Sequence, residues 1–244
     1  MDIEAIPTED LLAWAWRESE GSFAIVTSFQ TEGMVLIDMA SRVCPEARIV
    51  TVDTGRLPEE THQMIDQVRD RYGMRVEVVA PDPLEVAAMV ERYGTNLFHR
   101  EAPLRMLCCQ VRKVRPLERK LSQFRAWATG LRRGQGEARE TIEVASFTGG
   151  RLKICPLANW SAEDVARYTE LHAVPRHPLY ERGYTSIGCA PCTRPVTAGE
   201  SERAGRWWWE QGIGKECGIH FSADGRLQRK VDVLLEDLLT VAAA

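Results

Sequence analysis

Three times between residues 23 and 93 a short β-branched run is followed by a helix-period segment, with only a short loop between them. Residues 23–27 (FAIVT), 47–52 and 75–79 read as strands; residues 33–41, 58–72 and 83–93 read as the helices after them, with Pro58 suited to a helix start. A strand–helix–strand rhythm of this kind demands parallel strands, because each helix carries the chain back to the same end of the sheet. The expected fold is therefore α/β: a single domain with a mostly parallel sheet covered by helices. Ligands in such sheets bind beyond the carboxyl ends of the strands, which points to the loops at residues 28–33 and 53–56.

Further along, a helix is expected over residues 105–123, bent or divided by Pro116, and a fourth core strand over 124–129, ending at Gly130. Residues 132–140 read as a mobile basic loop, and 142–147 with 151–154 as a β-ribbon turning at Gly149-Gly150. Ser161-x-x-Asp164 has the form of a helix cap, opening a helix to His172. A Pro- and Gly-rich stretch covers 175–195, and a last helix is expected over 230–242. There is no internal repeat and no low-complexity tract.

Composition narrows the function. With 44% apolar and 27% charged residues, the 244-residue chain can bury a core and is not globally disordered. It has no run of about eighteen apolar residues that could span a membrane. Its start, MDIEAIPTEDLLAWAW, is acidic and lacks the basic and apolar regions of a signal peptide, so a cytoplasmic location is expected. The net charge of −4 argues against sequence-blind binding of nucleic acid. Arg105 to Arg133 departs from that average, with nine Arg or Lys residues against one acid, Glu118. A focused positive patch on an acidic chain suits a small anion.

The seven cysteines are odd in number, and in a reducing compartment they do not read as a disulfide framework. Four of them form two tight pairs, Cys108-Cys109 and Cys189-Ala-Pro-Cys192. Four thiolates suit a tetrahedral zinc or an iron–sulfur cluster. Adjacent cysteines diverge by about 100° on a helix, which favours a larger object with several metal corners, a [4Fe-4S] cluster, over a single zinc ion. Cys44 and Cys155 read as plain core residues. Cys217 stands between Lys215 and His220 beside a glycine, either as a thiolate nucleophile or as an ordinary tail thiol. Arg112 and Lys113 follow the first cysteine pair, so a cluster and an anion site would be neighbours; Arg203 and Arg206 are expected at i, i+3 on one helical face. Asp53-Thr54-Gly55 looks like an aspartic-protease triplet but ends a parallel strand, where that chemistry is not built. Trp207-Trp208-Trp209 suits packing of a helix better than stacking on a base.

Taken together, TSFQTEGMVLIDMA, TVDTGR, CCQVRKVRPLERKL, WATGLRR, GCAPCTRP, GRWWW and KECGIH, running from about residue 24 to 220, resemble the assimilatory adenylylsulfate (APS) reductases of the sulfonucleotide reductase family. The combination of the two cysteine pairs with KECGIH is the specific part. The resemblance implies a fold like the PP-loop ATP pyrophosphatases (adenine nucleotide alpha hydrolase-like), with Ser28-Phe-Gln-Thr-Glu-Gly33 in place of the usual SGGxDS loop. It implies a domain over 1–205 that binds the sulfonucleotide and an iron–sulfur cluster, and a C-terminal segment over 206–244. Adenosine would lie near Ser28, Val52 and Gly130, and the phosphosulfate against Lys113, Arg203, Arg206 and His220, with the loop at Arg132 and Arg133 closing nearby. Cys108, Cys109, Cys189 and Cys192 would hold one [4Fe-4S] cluster. Cys217 would attack the sulfur of APS, and thioredoxin or a similar dithiol would release sulfite.

Three other readings are set beside this one. A PAPS reductase, or an enzyme of dual specificity, shares the fold but needs an additional cationic pocket near the ribose. A tRNA-thiolating PP-loop protein needs the SGGxDS loop that is missing here. A zinc-stabilised nucleic-acid module would use the basic stretch and show steep salt dependence. Sequence leaves a homo-oligomeric assembly open.

Overall fold

The computed structural model describes residues 2–136, 139–210 and 225–242. Six strands form one sheet in the order β3-β2-β1-β4-β6-β5. They are β1 (Phe23–Val26), β2 (Arg48–Val52), β3 (Val76–Val79), β4 (Ala126–Thr129), β5 (Ala145–Thr148) and β6 (Arg151–Ile154). The pairs β1–β2, β2–β3, β1–β4 and β4–β6 are parallel; only the β5–β6 hairpin is antiparallel. The mostly parallel sheet is thus the one its strand–helix rhythm demands.

Alternation along the strands sends side chains to both faces. On one side Phe23, Ile25, Ile49, Ala126 and Ala128 pack in the main core with residues of α1 (Thr8–Glu18), α2 (Thr31–Val43), α3 (Glu59–Tyr72) and α7 (Ala162–Leu171). On the other, Ala24, Val50, Val52 and Trp127 meet Leu117 and Leu121 of α6 (Arg115–Leu121). A third cluster joins α4 (Pro83–Tyr93), α5 (Ala102–Cys109) and α8 (Gly225–Ala242) around Leu107, Val111, Cys192 and Trp207. The Ser161–Asp164 capping box forms as its spacing predicts, with Ser161 Oγ accepting from Asp164 N at 3.0 Å.

Several expectations are corrected. The helix expected over 105–123 is divided before Pro116 rather than at it. A π-helical turn, Gln110–Val114, separates α5 from α6, and the Arg115 amide reaches back to the Gln110 carbonyl. Pro116 has no N–H to contribute, and the wider turn accommodates its ring. Arg203 and Arg206 do not share a helical face. They lie in a turn in which Arg206 N donates to Arg203 O at 3.0 Å, followed by a bridge between Arg206 and Thr193. The three tryptophans are likewise outside any helix; Trp207 is buried with a positive φ of 41°. Residues 132–140 are tied down on their basic side: Arg132 is 4% exposed and paired with Glu32, while Arg133 turns away to Glu4. The α1 helix was not anticipated from the sequence; its buried Leu11, Leu12 and Ala15 complete the main core.

Candidate active site

Chain order places the crevice. The chain runs outward from β1 through β2 to β3, then returns to the other side of β1 as β4, so the loops after β1 and β4 diverge from a topological switch point. There the loop after β1 enters α2, presenting the helix N-terminus and its positive dipole end to the cavity. Two glycines permit this geometry. A Cβ on Gly33 would stand 2.2 Å from Thr27 Oγ1, the atom that accepts the Phe29 amide at 2.8 Å to tighten the turn. A Cβ on Gly130 would come within 2.9 Å of the Glu32 carbonyl carbon and 3.0 Å of Gly33 N, so the two loops touch backbone to backbone.

A cavity of about 1040 Å³ opens at this point. Its wall brings together Ser28, Val52, Lys113, Gly130, Arg132, Arg203 and Arg206 from five separate chain segments. Cys109, Cys189 and Cys192 line the same space. Cys217 and His220 lie outside the described residues, as does the segment that carries them. Arg132 is at the wall, but its guanidinium is committed: Nε and Nη2 each meet Glu32 Oε1 at 2.9 Å. Arg133 is not at the wall.

Sequence reasoning missed several wall groups. Glu32, Gln135 and Arg139 join Arg132 in one polar network, with Gln135 Nε2 donating to Glu32 at 2.9 Å. Thr31 N donates to Tyr180 Oη at 3.2 Å, bracing the first loop against a Pro-rich segment that carries no periodic signal.

The Asp53-Thr54-Gly55-Arg56 loop is a support for the second cysteine pair. Asp53 accepts from Gly55 N at 2.8 Å and meets His62 Nε2 at 3.1 Å. Thr54 Oγ1 is 3.2 Å from Cys189 Sγ, Ala190 N donates to Arg56 O at 2.8 Å, and Arg112 Nη1 donates to Thr54 O at 2.9 Å. The loop after β2 is thereby latched to both cysteine-bearing segments.

The surroundings of Cys108, Cys189 and Cys192 are compatible with a bound metal group. Burial pushes the Cys108 thiol up to about 11 and the Cys192 thiol up to about 12. Cys189 adds to the rise in both, and Cys108 adds to it at Cys192, so the three sulfurs are electrostatic neighbours. Thiols gathered and buried in this way become thiolates only when a cation neutralises them. Beside them the indole N–H of Trp207 is buried with no acceptor among the described residues, while its ring packs in the cluster that holds Cys192. No three His, Cys, Asp or Glu side chains among the described residues are arranged around one metal ion. Cys44 and Cys155, each 1% exposed, sit in the main core as expected.

Trp207 also lies between two cations. Arg105 and Arg206 each hold their guanidinium carbon 4.6 Å from its ring. Arg105 grips Glu210 with two bonds, Nε at 2.9 Å and Nη2 at 3.0 Å, and both side chains are buried. The second cysteine loop, α5 and the chain at Glu210 are thus joined through one indole.

Comparison with known proteins agrees with this architecture. Residues 22–195 match the phosphoadenosine phosphosulfate reductase domain. A protein of Allochromatium vinosum named adenosine 5′-phosphosulfate reductase is 44% identical over 227 residues, covering 90% of this chain and 88% of its own. One of the same name from Pseudomonas aeruginosa is 40% identical over 220 residues, covering 87% and 81%. Among solved structures, a phosphoadenylyl-sulfate reductase of Candida auris in a phosphate complex superposes with a TM-score of 0.67 at 24% identity, covering 80% of this chain and 93% of that one. An FMN adenylyltransferase of Candida glabrata shares the fold at a TM-score of 0.57 and 14% identity, covering 93% and 80%. No helix among the described residues is long and apolar enough to cross a membrane. The chain belongs to the sulfonucleotide reductase family, that of the phosphoadenosine phosphosulfate reductase domain and the adenosine 5′-phosphosulfate reductases.

Proposed function

We propose that this protein reduces adenosine 5′-phosphosulfate to sulfite and AMP in assimilatory sulfate reduction. The observation that carries the reading is the shared cavity wall, where Lys113, Arg203 and Arg206 stand with three cysteines at the switch point of an α/β sheet. The relatives' names give the substrate class.

In this reading the loop after β1, with Ser28 and the α2 N-terminus, receives the adenylate beside Val52 and Gly130. Lys113, Arg203 and Arg206, with His220, hold the phosphosulfate. The Cys217 thiolate attacks the sulfur atom, a new S–S bond forms, and the S–O bond to the phosphate breaks. AMP leaves with the electron pair of that bond, and the lysine and arginines stabilise the charge moving onto the bridging oxygen. Cys217 then carries an S-sulfo group. A dithiol protein of the thioredoxin class attacks the Cys217 sulfur, sulfite departs, and the partner's second thiol resolves the mixed disulfide. Both electrons come from that dithiol, an arrangement suited to the reducing cytoplasm.

Cys108, Cys109, Cys189 and Cys192 would hold one [4Fe-4S] cluster. When bound it supplies a fixed charge distribution beside Lys113 and pins the two cysteine segments to each other.

The test is sulfite release from APS and from PAPS by anaerobically purified protein with thioredoxin, with iron and acid-labile sulfide counted on the same sample. The reading expects sulfite from APS, about four irons per chain, no sulfite from Cys217→Ser and retention of its brown colour. Serine at any of the four paired cysteines should bleach the protein. A colourless protein with one zinc, or sulfite from Cys217→Ser, would overturn the assignment.

A further inference from the structure

We propose that Gln30 is a positioning residue for the adenylate, orienting the Ser28 hydroxyl with a side-chain amide that is anchored on the second cysteine loop. The inference rests on the reading above, that this cavity takes an adenine nucleotide.

Gln30 stands at the N-cap position of α2 in the cavity wall, its side chain free of any capping bond to the helix, next to Phe29 with its positive φ of 57°. A glycine-rich phosphate loop has no side chain here; this chain has an amide, and both ends of it are used. Nε2 donates to Ser28 Oγ at 3.0 Å, and Oε1 accepts from Ile187 N at 2.8 Å. The orientation is fixed by chemistry, because turning the amide over would set an NH₂ against the Ile187 N–H. Ile187 lies two residues before Cys189, and its carbonyl accepts from Arg206 Nη1 at 3.2 Å.

A continuous hydrogen-bonded path therefore runs from Ser28 through Gln30 and Ile187 to Arg206. Each of these four residues lines the cavity. The two ends of the path are the groups assigned to opposite halves of the substrate: the Ser28 hydroxyl to the adenylate and the Arg206 guanidinium to the phosphosulfate. Without the amide, Ser28 keeps its hydroxyl but loses the donor that orients its lone pairs. Gln30 thus acts through Ser28, and its contribution to affinity is not independent of that residue.

A double-mutant cycle on AMP affinity tests this, read by isothermal titration of the metal-loaded protein. Ser28→Ala and Gln30→Met should each weaken AMP about tenfold, or about 1.4 kcal/mol. The double variant should be no worse than twofold beyond either single one. A merely structural role for Gln30 would give multiplicative losses of about a hundredfold in the double variant, and that result overturns the proposal. So does wild-type AMP affinity in Gln30→Met. Gln30→Glu is the second variant: it keeps the acceptor for Ile187 N but loses the donor to Ser28 and adds a negative charge. It should bind AMP more weakly than Gln30→Met, by a margin that shrinks with added salt; equal affinity for the two contradicts the geometry. If the wild-type protein itself fails to bind AMP, the functional reading fails; if it binds AMP and Gln30→Met binds equally well, only the positioning role fails.

Discussion

Replacing Glu210 with alanine should destabilise the protein far more than removing both members of its ion pair. The Arg105 and Glu210 side chains are 2% and 7% exposed, so water does little to screen them. Truncating the carboxylate leaves a buried guanidinium without the partner that two of its nitrogens meet, at a cost of about 3–5 kcal/mol. For a chain of this length each kcal/mol moves the melting temperature by about 2–4 °C, so Glu210→Ala should melt between about 6 and about 20 °C lower. The double variant Arg105→Met/Glu210→Leu replaces the pair with apolar volume against Trp207, and such replacements are often neutral or stabilising. It should melt within about 3 °C of wild type. Thermal melts followed by circular dichroism, on anaerobic samples of matched metal content, read both. A single variant within about 2 °C of wild type, or a double variant as unstable as the single one, would refute the claim that the penalty comes from taking the carboxylate away from a buried guanidinium.

Three further predictions concern the cavity and helix α2. Gly130→Ala drives a Cβ into the backbone of Glu32 and Gly33, which cannot yield as a side-chain tip can; AMP affinity measured by titration should fall about tenfold, consistent with an overpacking cost of about 1–3 kcal/mol. Lys113→Met removes a cation from the wall while keeping its bulk, so kcat/KM for APS in the sulfite assay should fall by about ten- to a hundredfold, the worth of a charged hydrogen bond, with the visible spectrum unchanged. Asp38 concerns acid stability. Burial alone would raise its carboxyl, but Arg42 at 2.7 Å and the hydroxyls of Tyr168 and Tyr72 outweigh that and hold it below the ordinary aspartate range. Folding therefore favours its ionised form, a contribution complete above the ordinary value of about 3.9 and lost as pH falls through the lower folded value. Melting temperature should drop more steeply below about pH 4 in wild type than in Asp38→Asn, and equal slopes would refute the assignment.

Much of the fold was legible because parallel strands leave a strong local signature. Ile49, Val50 and Val52, or Ala24 and Ile25, are apolar on both faces; of the helices between the strands, α3 buries one stripe, Thr61, Met64, Ile65 and Val68, whereas α2 is buried on every side from Met34 to Ala40. The cations and cysteines were legible as residue types from the sequence and the resemblance; Lys113, Arg203, Arg206, Cys109, Cys189 and Cys192 line one cavity, whereas Cys108 is not in its wall. What stayed hidden depends on contacts distant in sequence. Nothing local announces that Arg132 will be neutralised by Glu32, a hundred residues earlier. Nor does spacing show that Arg203 and Arg206 lie in a turn, because i, i+3 neighbours look alike in a helix and in the tight bend that pairs Arg206 with Thr193. The Thr54–Cys189 contact joins residues 135 apart in sequence, which is why Asp53-Thr54-Gly55 read as a protease-like fragment and not as the support for a cysteine pair.

The central claim is that Cys217 takes the sulfo group from the substrate. Intact-mass spectrometry of the reduced protein after anaerobic incubation with APS, without any thiol, tests it most directly. The account predicts one added sulfo group, mapped to the peptide containing Cys217, absent from Cys217→Ser and removed with release of one sulfite when reduced thioredoxin is added. AMP and sulfite appearing together with no covalent species on the protein, or the sulfo group found on another cysteine, would contradict it.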